Sequence, residues 1–420
     1  MVMAALGIAA SATAENYPYR SDVLWVTVPN HADWLYKTGE KATVDVMLLK
    51  YGMPMEGTLD YALADDLGKD EQKGQTVLKN GRATIQMGTR KTPGFRDLRL
   101  TMKDGRQTYR HHIKVGFSPE LIKPVTNEPS DFQSYWQKAL DDLKKVPLKY
   151  TLEPHKPFCT DKADCFVLKL NISSEGQAMY GWLFVPKNAK PGSCPVVLSP
   201  PGAGVKTVKD GLNRIYYTEQ GCIRLNIDIH GLDPRMPEQY FTEVRTMTEG
   251  RNRGYLHIGM ENRDQYYMRH VYLGLIRCID FLTQMPEWDG KNVIVQGGSQ
   301  GGALSLVAAG LDRRVTQCVA NHPALADMAG IGYPHFASLS KQQIETLAYY
   351  DVVNFARHIE CPTYLTWGYN DDVCPPTTSY AVWNTLKCPK ESLITPINEH
   401  WTSETTNHGQ LDWILEKMKK

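Results

Sequence analysis

The 420-residue chain is predicted to have an α/β fold, preceded by an N-terminal immunoglobulin-like β-sandwich. From Ser21 to Val115, short runs of β-forming residues alternate with turns, and no helical periodicity is present. Beyond about residue 120, strand patterns alternate with helical patterns, which is typical of a mostly parallel sheet covered by helices on both faces. We therefore expect a sandwich over residues 15–120 and an α/β domain over residues 121–420.

The strands predicted for the sandwich are short and bounded by turn residues such as those of Lys103-Asp104-Gly105. They are Val23–Val28, Thr43–Leu49, Thr58–Leu63, Arg82–Met87, Asp97–Met102 and Gln107–Val115. No enzymatic chemistry is evident in this region.

A proline-containing stretch, Pro119 to Pro129, separates the two parts. Ser130-Asp131 then supplies the N-cap signal of a helix that continues through Leu143. The later strands are predicted at Cys165–Ile172, Tyr180–Val185, Pro195–Leu198, Cys222–Ile229, Val293–Gln296, Val315–Ala320, Thr363–Trp367 and Ser392–Ile397. The later helices are predicted at about Asp264–Thr283, after Ser299, at Thr377–Leu386 and at the C-terminus through Lys419.

Charge and hydropathy exclude several classes of protein. The formal net charge is +1, from 47 Lys and Arg against 46 Asp and Glu, which argues against a nucleic-acid partner. The apolar run Val2–Ala10 is much shorter than the ~20 residues of a membrane-spanning helix, so no transmembrane segment is expected. With the small-residue pattern Ala12-Thr13-Ala14, residues 1–14 are instead predicted to be a signal peptide, and the protein to be secreted or periplasmic; a buried apolar segment is the alternative.

Cysteine usage indicates neither a disulfide scaffold nor a metal site. All nine Cys lie after position 158, and no Cys-x-x-Cys or His-Glu-x-x-His pattern is present. We therefore predict no metal and no organic cofactor. Cys159 and Cys165 could close a small loop in an oxidising compartment, and the sequence leaves that pairing open.

A candidate nucleophile lies in Gly297-Gly298-Ser299-Gln300-Gly301-Gly302, between a β-forming and a helical run. This strand, turn and helix context is what the Gly-x-Ser-x-Gly nucleophile elbow requires, because larger side chains would collide with the turning chain. A plain connection or a phosphate-binding loop is the alternative, but no Lys-Ser or Lys-Thr follows as in a P-loop. Ser299 is the predicted nucleophile.

A serine nucleophile needs a histidine base and an orienting acid, which follow the serine in the order acid, then histidine. Asp371 comes directly after the predicted strand Thr363–Trp367, with Asp372 as its neighbouring rival. Of the two histidines that follow, His400 comes after the last strand, whereas His408 belongs to the start of the terminal helix. We predict Asp371 and His400, because catalytic residues gather on loops at strand ends.

The oxyanion of the reaction needs backbone donors. One is predicted to be the N–H of Gln300, the residue after the nucleophile. The other should come from the loop Ser199-Pro200-Pro201-Gly202-Ala203-Gly204, where the N–H of Ala203 is our choice and that of Gly202 the next.

From Pro129 to the C-terminus, the chain resembles the acetyl xylan esterase and cephalosporin C deacetylase family, carbohydrate esterase family seven. The matching stretches are Tyr266-Tyr267, Arg269-His270-Val271-Tyr272-Leu273, Gly297-Gly298-Ser299-Gln300-Gly301-Gly302, Tyr350-Asp351-Val352-Val353-Asn354-Phe355, and Gly368 with Asp371 and Cys374-Pro375-Pro376. The resemblance implies an α/β-hydrolase fold and removal of acetyl groups from sugars or similar small esters, and it supports Ser299 and Asp371. Members often form ring-like hexamers, but a β-domain of this size is not part of their usual pattern, so the resemblance leaves a homo-oligomer open.

Two stretches depart from the family pattern. Its Arg-Gly-Gln becomes His230-Gly231-Leu232, and its Gly-His-Glu becomes Glu399-His400-Trp401. His230 is therefore open as either a binding or a structural residue. Aromatic residues that could stack on a sugar ring are Tyr255, Tyr369 and Trp401, although core packing is the commoner role.

The function predicted is a serine carboxylesterase that removes acetyl groups from acetylated xylan, xylo-oligosaccharides or similar sugar esters. A serine peptidase of prolyl-peptidase type is the first alternative, but about 100 residues are too few for the β-propeller usual in that group. A non-catalytic polysaccharide-binding protein on a hydrolase fold is the second.

Overall fold

A computed structural model describes residues 22–173, 176–206, 212, 214–252, 254–328, 336 and 338–418. The predicted signal peptide, residues 1–14, lies outside the described residues. Within them, no helix combines the length and the apolar character that crossing a bilayer requires. The fold is α/β, with an N-terminal β-sandwich as predicted.

The sandwich consists of two sheets whose inner faces share one apolar core. Its strands are β1 (Val23–Pro29), β2 (Leu35–Tyr36), β3 (Ala42–Lys50), β4 (Met53–Pro54), β5 (Gly57–Asp65), β6 (Gln72–Leu78), β7 (Arg82–Gly88), β8 (Gly94–Asp104) and β9 (Gln107–Phe117). One sheet contains β1, β3, β4 and β7, and the other has the order β2-β9-β8-β5-β6. Val44 and Leu48 of the first sheet and Leu98 and Ile113 of the second are buried in this core. Side chains alternate along β8 and β9, so the next residues along each strand point away from it.

The α/β part is built on a sheet with the order β10-β11-β12-β14-β13-β15-β16-β17-β18. These strands are β10 (Tyr150–Pro154), β11 (Ala163–Asn171), β12 (Ala178–Pro186), β13 (Cys194–Ser199), β14 (Ile223–Asp228), β15 (Trp288–Gly298), β16 (Gln317–Asn321), β17 (Thr363–Trp367) and β18 (Lys390–Ile394). From β14 to β18 all neighbours in that order are parallel, whereas the pairs from β10 to β14 are antiparallel.

Helices cover both faces of this sheet. Those described are α1 (Phe132–Lys144), α2 (Tyr216–Glu219), α3 (Glu238–Asn252), α4 (Tyr267–Leu282), α5 (Gln300–Leu311), α6 (Lys341–Ala348), α7 (Val352–Ala356), α8 (Pro376–Thr385) and α9 (Glu404–Lys417), with 3-10 turns at Pro119–Leu121, Lys156–Phe158 and Tyr255–His257. Val293 and Val295 of β15 belong to the core formed with α4 and α5. Ile294, which points to the other face, packs with Leu411 and Ile414 of α9.

The cysteines form no disulfide in the structure: all nine are free thiols. Cys159, whose pairing with Cys165 the sequence left open, instead accepts the Cys165 N–H on its sulfur at 3.3 Å. Burial raises the pKa of the Cys165 thiol to about 12, so this sulfur is protonated at neutral pH.

The outer face of β8 and β9 packs on the α/β part. Phe95 of β8 lies 5.0 Å from the ring of Tyr369 and 5.7 Å from that of Tyr380, measured between ring centroids. The carboxylate of Asp66 accepts hydrogen bonds from both the N–H and the hydroxyl of Thr377 at the start of α8, at 2.9 and 2.8 Å. The predicted boundary near residue 120 falls in the turn Pro119–Leu121, which follows β9 in the chain.

Candidate active site

Ser299 lies on the sharp turn between β15 and α5. Its φ and ψ are 58° and −123°, which L-residues adopt only where the surrounding structure enforces strain. The turn lifts the hydroxyl above the carboxyl end of the parallel sheet, where open α/β sheets place their ligands. The strand, turn and helix predicted around Ser299 are thus present.

The glycines of this turn allow two segments of backbone to touch. A Cβ on Gly301 would lie 2.4 Å from the carbonyl oxygen of Pro200, closer than real Cβ atoms approach any atom. A Cβ on Gly297 would lie 2.5 Å from Gly301 itself. Gly301 therefore lets the elbow lie against the loop that follows β13, and Gly297 lets the turn pack against its own helix start.

Gly301→Ala is expected to lower the free energy of unfolding by about 1–3 kcal/mol, because backbone must move to admit the methyl group. Gly409→Ala in α9 is the matched control, since a Cβ there meets nothing within 4 Å. Alanine at that exposed helical position should raise the same free energy by about 0.5–1 kcal/mol. Urea unfolding of both variants measures the difference, and equal effects would contradict the close contact.

Ser299, His400 and Asp371 form a continuous hydrogen-bonded chain. The Nε2 of His400 lies 3.0 Å from the Oγ of Ser299, and its Nδ1 lies 2.8 Å from Oδ2 of Asp371. Asp371 is fully buried. Its other oxygen, Oδ1, accepts the N–H groups of Val373 and Cys374, each at 2.8 Å. These bonds fix the carboxylate so that Oδ2 faces the imidazole.

The rival residues lie elsewhere. His408 is in α9, stacked on Tyr216 with ring centroids 4.2 Å apart, and 51% of its side chain is exposed. Asp372 points to the sandwich, where its carboxylate contacts Lys114 and Arg99. The structure therefore brings together the predicted Ser299, Asp371 and His400, and neither rival joins them.

His322 is a neighbour that the sequence did not reveal. Its ring centroid lies 4.4 Å from that of His400. Burial, followed by the adjacent His400, lowers the pKa of His322 to about 4, so this ring is neutral near pH 7. His400, and not His322, is the imidazole that contacts Ser299.

The two predicted oxyanion donors lie on segments that Tyr255 connects. As the first residue of α5, Gln300 has a backbone N–H for which the helix offers no acceptor. The hydroxyl of Tyr255 donates to Oε1 of Gln300 at 2.5 Å and accepts the N–H of Gly204 at 3.2 Å. Ala203, exposed, precedes Gly204 in the same loop. Tyr255 thus bridges the elbow and the loop after β13.

The aromatic candidates and His230 have different surroundings. Tyr255 and Tyr369 are buried, only 7% and 2% exposed, so neither offers an open face to a sugar; that interpretation of both residues is wrong. Trp401, directly after His400, is 52% exposed. His230 contacts the Tyr267 hydroxyl at 2.7 Å and the Gly204 carbonyl at 3.3 Å, which makes it a support of the same loop.

Among the described residues, one group of three potential metal-binding side chains is found, Asp371, Cys374 and His400, whose ligand atoms lie within 4.8 Å of one another. The carboxylate and the imidazole of this group already bond to each other. Their arrangement fits proton transfer to and from Ser299.

Comparisons with known proteins cover both parts of the chain. A family model described as acetyl xylan esterase (AXE1) matches residues 120–332 and 333–417. The chain is 55% identical over 424 residues to the acetyl esterase Axe7A of Xylanibacter ruminicola, covering 99% of this chain and 95% of that protein.

Two solved structures resemble the α/β part. An acetyl xylan esterase from Paenibacillus sp. R4 is 25% identical with a TM-score of 0.62, covering 71% of this chain and 98% of that one. Acetyl xylan esterase 1 from Thermoanaerobacterium sp. JW/SL YS485 is 24% identical with a TM-score of 0.63, covering 72% and 98%. The second likeness concerns the fold alone.

Proposed function

Because the chain belongs to the acetyl xylan esterase family, we propose that it removes acetyl groups from acetylated xylan, xylo-oligosaccharides or similar sugar esters through Ser299, His400 and Asp371. Family membership makes it an ester hydrolase; the catalytic residues and the substrate are the proposal. The observation that carries it is the hydrogen-bonded chain from Ser299 Oγ through both nitrogens of His400 to Asp371. The signal peptide predicted at residues 1–14 makes a secreted or periplasmic location part of the same proposal.

In the first half of the reaction, Ser299 Oγ attacks the acetyl carbonyl carbon while His400 Nε2 takes its proton. Asp371 accepts the Nδ1–H, which keeps Nε2 free to act as base and stabilises the imidazolium. The ester C–O bond then breaks, and His400 gives the proton to the departing sugar oxygen. An acetyl group remains on Ser299.

In the second half, His400 removes a proton from water as the water oxygen attacks the acetyl carbon. The bond to Ser299 Oγ breaks, the oxygen regains its proton from His400, and acetate leaves. In both halves the N–H groups of Gln300 and Ala203 would hold the oxyanion. Because such donors stabilise charge that exists only in the transition state, their placement affects kcat more than KM.

Tyr255→Phe is expected to lower kcat about 10-fold with little change in KM, because it removes the hydroxyl that joins Gly204 to Gln300 while keeping the ring. Burial raises the pKa of Tyr255 to about 12, so the group lost is a neutral hydroxyl across the working pH range. Steady-state kinetics on p-nitrophenyl acetate measure kcat and KM separately. Tyr240→Phe, on α3, serves as the control, and an equal loss there would remove the argument for Tyr255.

The proposed function is tested by acetate release from acetylated xylan and from p-nitrophenyl acetate, combined with labelling by a fluorophosphonate. We expect activity on both esters, and inactivation that parallels phosphonylation of Ser299 in peptide mass spectra. Full activity with Ser299 phosphonylated would exclude it as nucleophile. Cleavage of aminoacyl anilides without acetate release would favour a peptidase, and binding of xylan without hydrolysis a binding protein.

A further inference from the structure

The sandwich inserts a buried lysine into the loop that carries the candidate catalytic acid. Lys114 of β9 is 0% exposed. Its neighbours Ile113 and Val115 point into the sandwich core, so Lys114 points outward from that sheet. Burying an ammonium group is costly unless it is paired and hydrogen-bonded.

Three hydrogen bonds connect Lys114 to three successive residues of that loop. The backbone N–H of Lys114 donates to Oδ1 of Asn370 at 2.9 Å. Its Nζ donates to the carbonyl oxygen of Asp371 at 2.7 Å and to Oδ1 of Asp372 at 2.6 Å. Asn370 in turn donates to the carbonyl of Ile397 at 3.3 Å, in the loop that leads to His400. One residue of the sandwich thus supports both loops of the site.

Charges of both signs surround Lys114. Arg99 of β8 bonds to Asp97 at 2.7 Å and to Asp372 at 2.8 Å. The two cations, Lys114 and Arg99, therefore face Asp97 and Asp372, and a third carboxylate, the buried Asp66, also interacts with Lys114, whose ammonium opposes the rise that burial causes in the pKa of Asp66. Although burial raises it, the pKa of Asp372 is lowered overall, chiefly by the ammonium of Lys114, which keeps this carboxylate charged.

Further ionisable groups lie at the edges of this cluster. His112 approaches Asp372 at 3.5 Å and Glu399 at 3.7 Å, and the Glu399 side chain is 66% exposed. The groups that face His400 itself are Asp371 and the neutral His322. A change of charge at Lys114 or Asp372 therefore reaches His400 through a partly buried region, in which solvent at the 40% exposed Asp372 side chain screens part of the effect.

We propose that Lys114 is a positioning residue of the esterase: the sandwich, through this one side chain, holds the loop of the catalytic acid and neutralises the extra carboxylate beside it. The inference rests on the proposed roles of Asp371 and His400. It assigns the N-terminal domain a part in catalysis that requires no contact with substrate.

The test compares Lys114→Met, Lys114→Arg, Asp372→Asn and the double variant Lys114→Met/Asp372→Asn by acetate release from p-nitrophenyl acetate between pH 5 and pH 9. Lys114→Met should lower kcat by about 10–100-fold at unchanged KM, because the acid loop loses its support. It also removes one positive charge from the cluster, which favours the imidazolium form of His400. The acidic limb of kcat/KM should therefore move to higher pH, by about half a unit.

The other variants separate charge from packing. Asp372→Asn removes one negative charge, so its acidic limb should move to lower pH. The double variant and Lys114→Arg keep the wild-type net charge, and their limbs should return to the wild-type position even where kcat stays low. Lys50→Met is the control, since it breaks an ion pair with Asp104 at the far end of β8, about 23 Å along the strand from Asp97.

Circular dichroism and thermal melting establish which variants fold. A folded Lys114→Met with wild-type kcat and an unmoved limb would overturn the inference, as would limbs that move the same way in Lys114→Met and Asp372→Asn. If Lys114→Met does not fold, an Asp372→Asn variant whose acidic limb of kcat/KM lies at the wild-type pH is sufficient to overturn the inference. A failure of the proposed function is distinguished by the labelling experiment. Acetate release would then continue after fluorophosphonate has labelled Ser299.

Discussion

Ser299→Ala is expected to lower kcat/KM for p-nitrophenyl acetate by about 10⁵–10⁶-fold, with an unchanged melting temperature. The variant removes the one oxygen that faces His400 Nε2 and leaves every other contact of the elbow in place. Because the three residues act as a unit, adding His400→Ala to Ser299→Ala should cause almost no further loss. Burst kinetics should vanish as well, since no acetyl-enzyme can form.

Ser305→Ala provides the matched control. Ser305 is a buried serine on α5, the helix that follows Ser299, and its hydroxyl donates to the carbonyl of Gly301 at 2.8 Å. Its replacement should leave kcat/KM close to wild type. A residual activity of Ser299→Ala above about 1% of wild type, in protein free of wild-type contamination, would show that another group attacks the ester.

Asp371→Asn is expected to lower kcat by about 10⁴-fold, and the hydrogen bonds of the site explain why. The N–H groups of Val373 and Cys374 both point at Oδ1, so an asparagine must place its carbonyl oxygen there. Its NH₂ group then faces Nδ1 of His400, which becomes an acceptor and leaves the proton on Nε2. An Nε2 that carries a proton cannot take one from Ser299.

Asp289→Asn controls for the turn itself. Asp289, near the start of β15 and so at the opposite end of that strand from Ser299, accepts the N–H groups of Lys291 and Asn292 on one oxygen, at 2.9 and 2.8 Å, which repeats the pattern at Asp371. It should retain nearly full activity. The tautomer is checked by proton NMR, in which the resonance of the His400 Nδ1 proton should be present in wild type and absent from Asp371→Asn; its persistence would refute the explanation.

The strand, turn and helix around Ser299 could be predicted from sequence because their signal is local. Five residues around Ser299 and the strand and helix on either side fix the turn, and steric limits on the backbone explain Gly297 and Gly301. Asp371 and His400 followed from chain order and from their positions after β17 and β18. These residues converge because parallel strands end at one edge of the sheet.

Some elements lacked a clear pattern. Strand β6 was missed because Gln72–Leu78 is polar and mostly exposed, pairing only at the edge of its sheet with β5. The last strand was predicted as Ser392–Ile397 but spans Lys390–Ile394. Pro396 has no N–H to continue the pairing, and this signal was available in the sequence.

The role of Lys114 could not be predicted, because its partners lie 256–258 residues further along the chain. No periodicity or motif encodes such a distant contact. A weak signal did exist: a strand that alternates His112 and Lys114 with apolar Ile113 and Val115 presents a charged side chain to something other than the core. Only the docked partner shows what that is.

The interface of the sandwich with the acid loop also has a consequence for biosynthesis. Translation completes the sandwich long before residues 370–400 emerge from the ribosome, and domains generally fold as they are made. The loop that contains Asp372 is therefore synthesised after the sandwich and docks on it later. Until then, Lys114 lacks its partner carboxylate, that of Asp372. Nascent chains stalled before Asp372 should accordingly expose the outer face of β8 and β9, which the later-made residues cover in the folded protein.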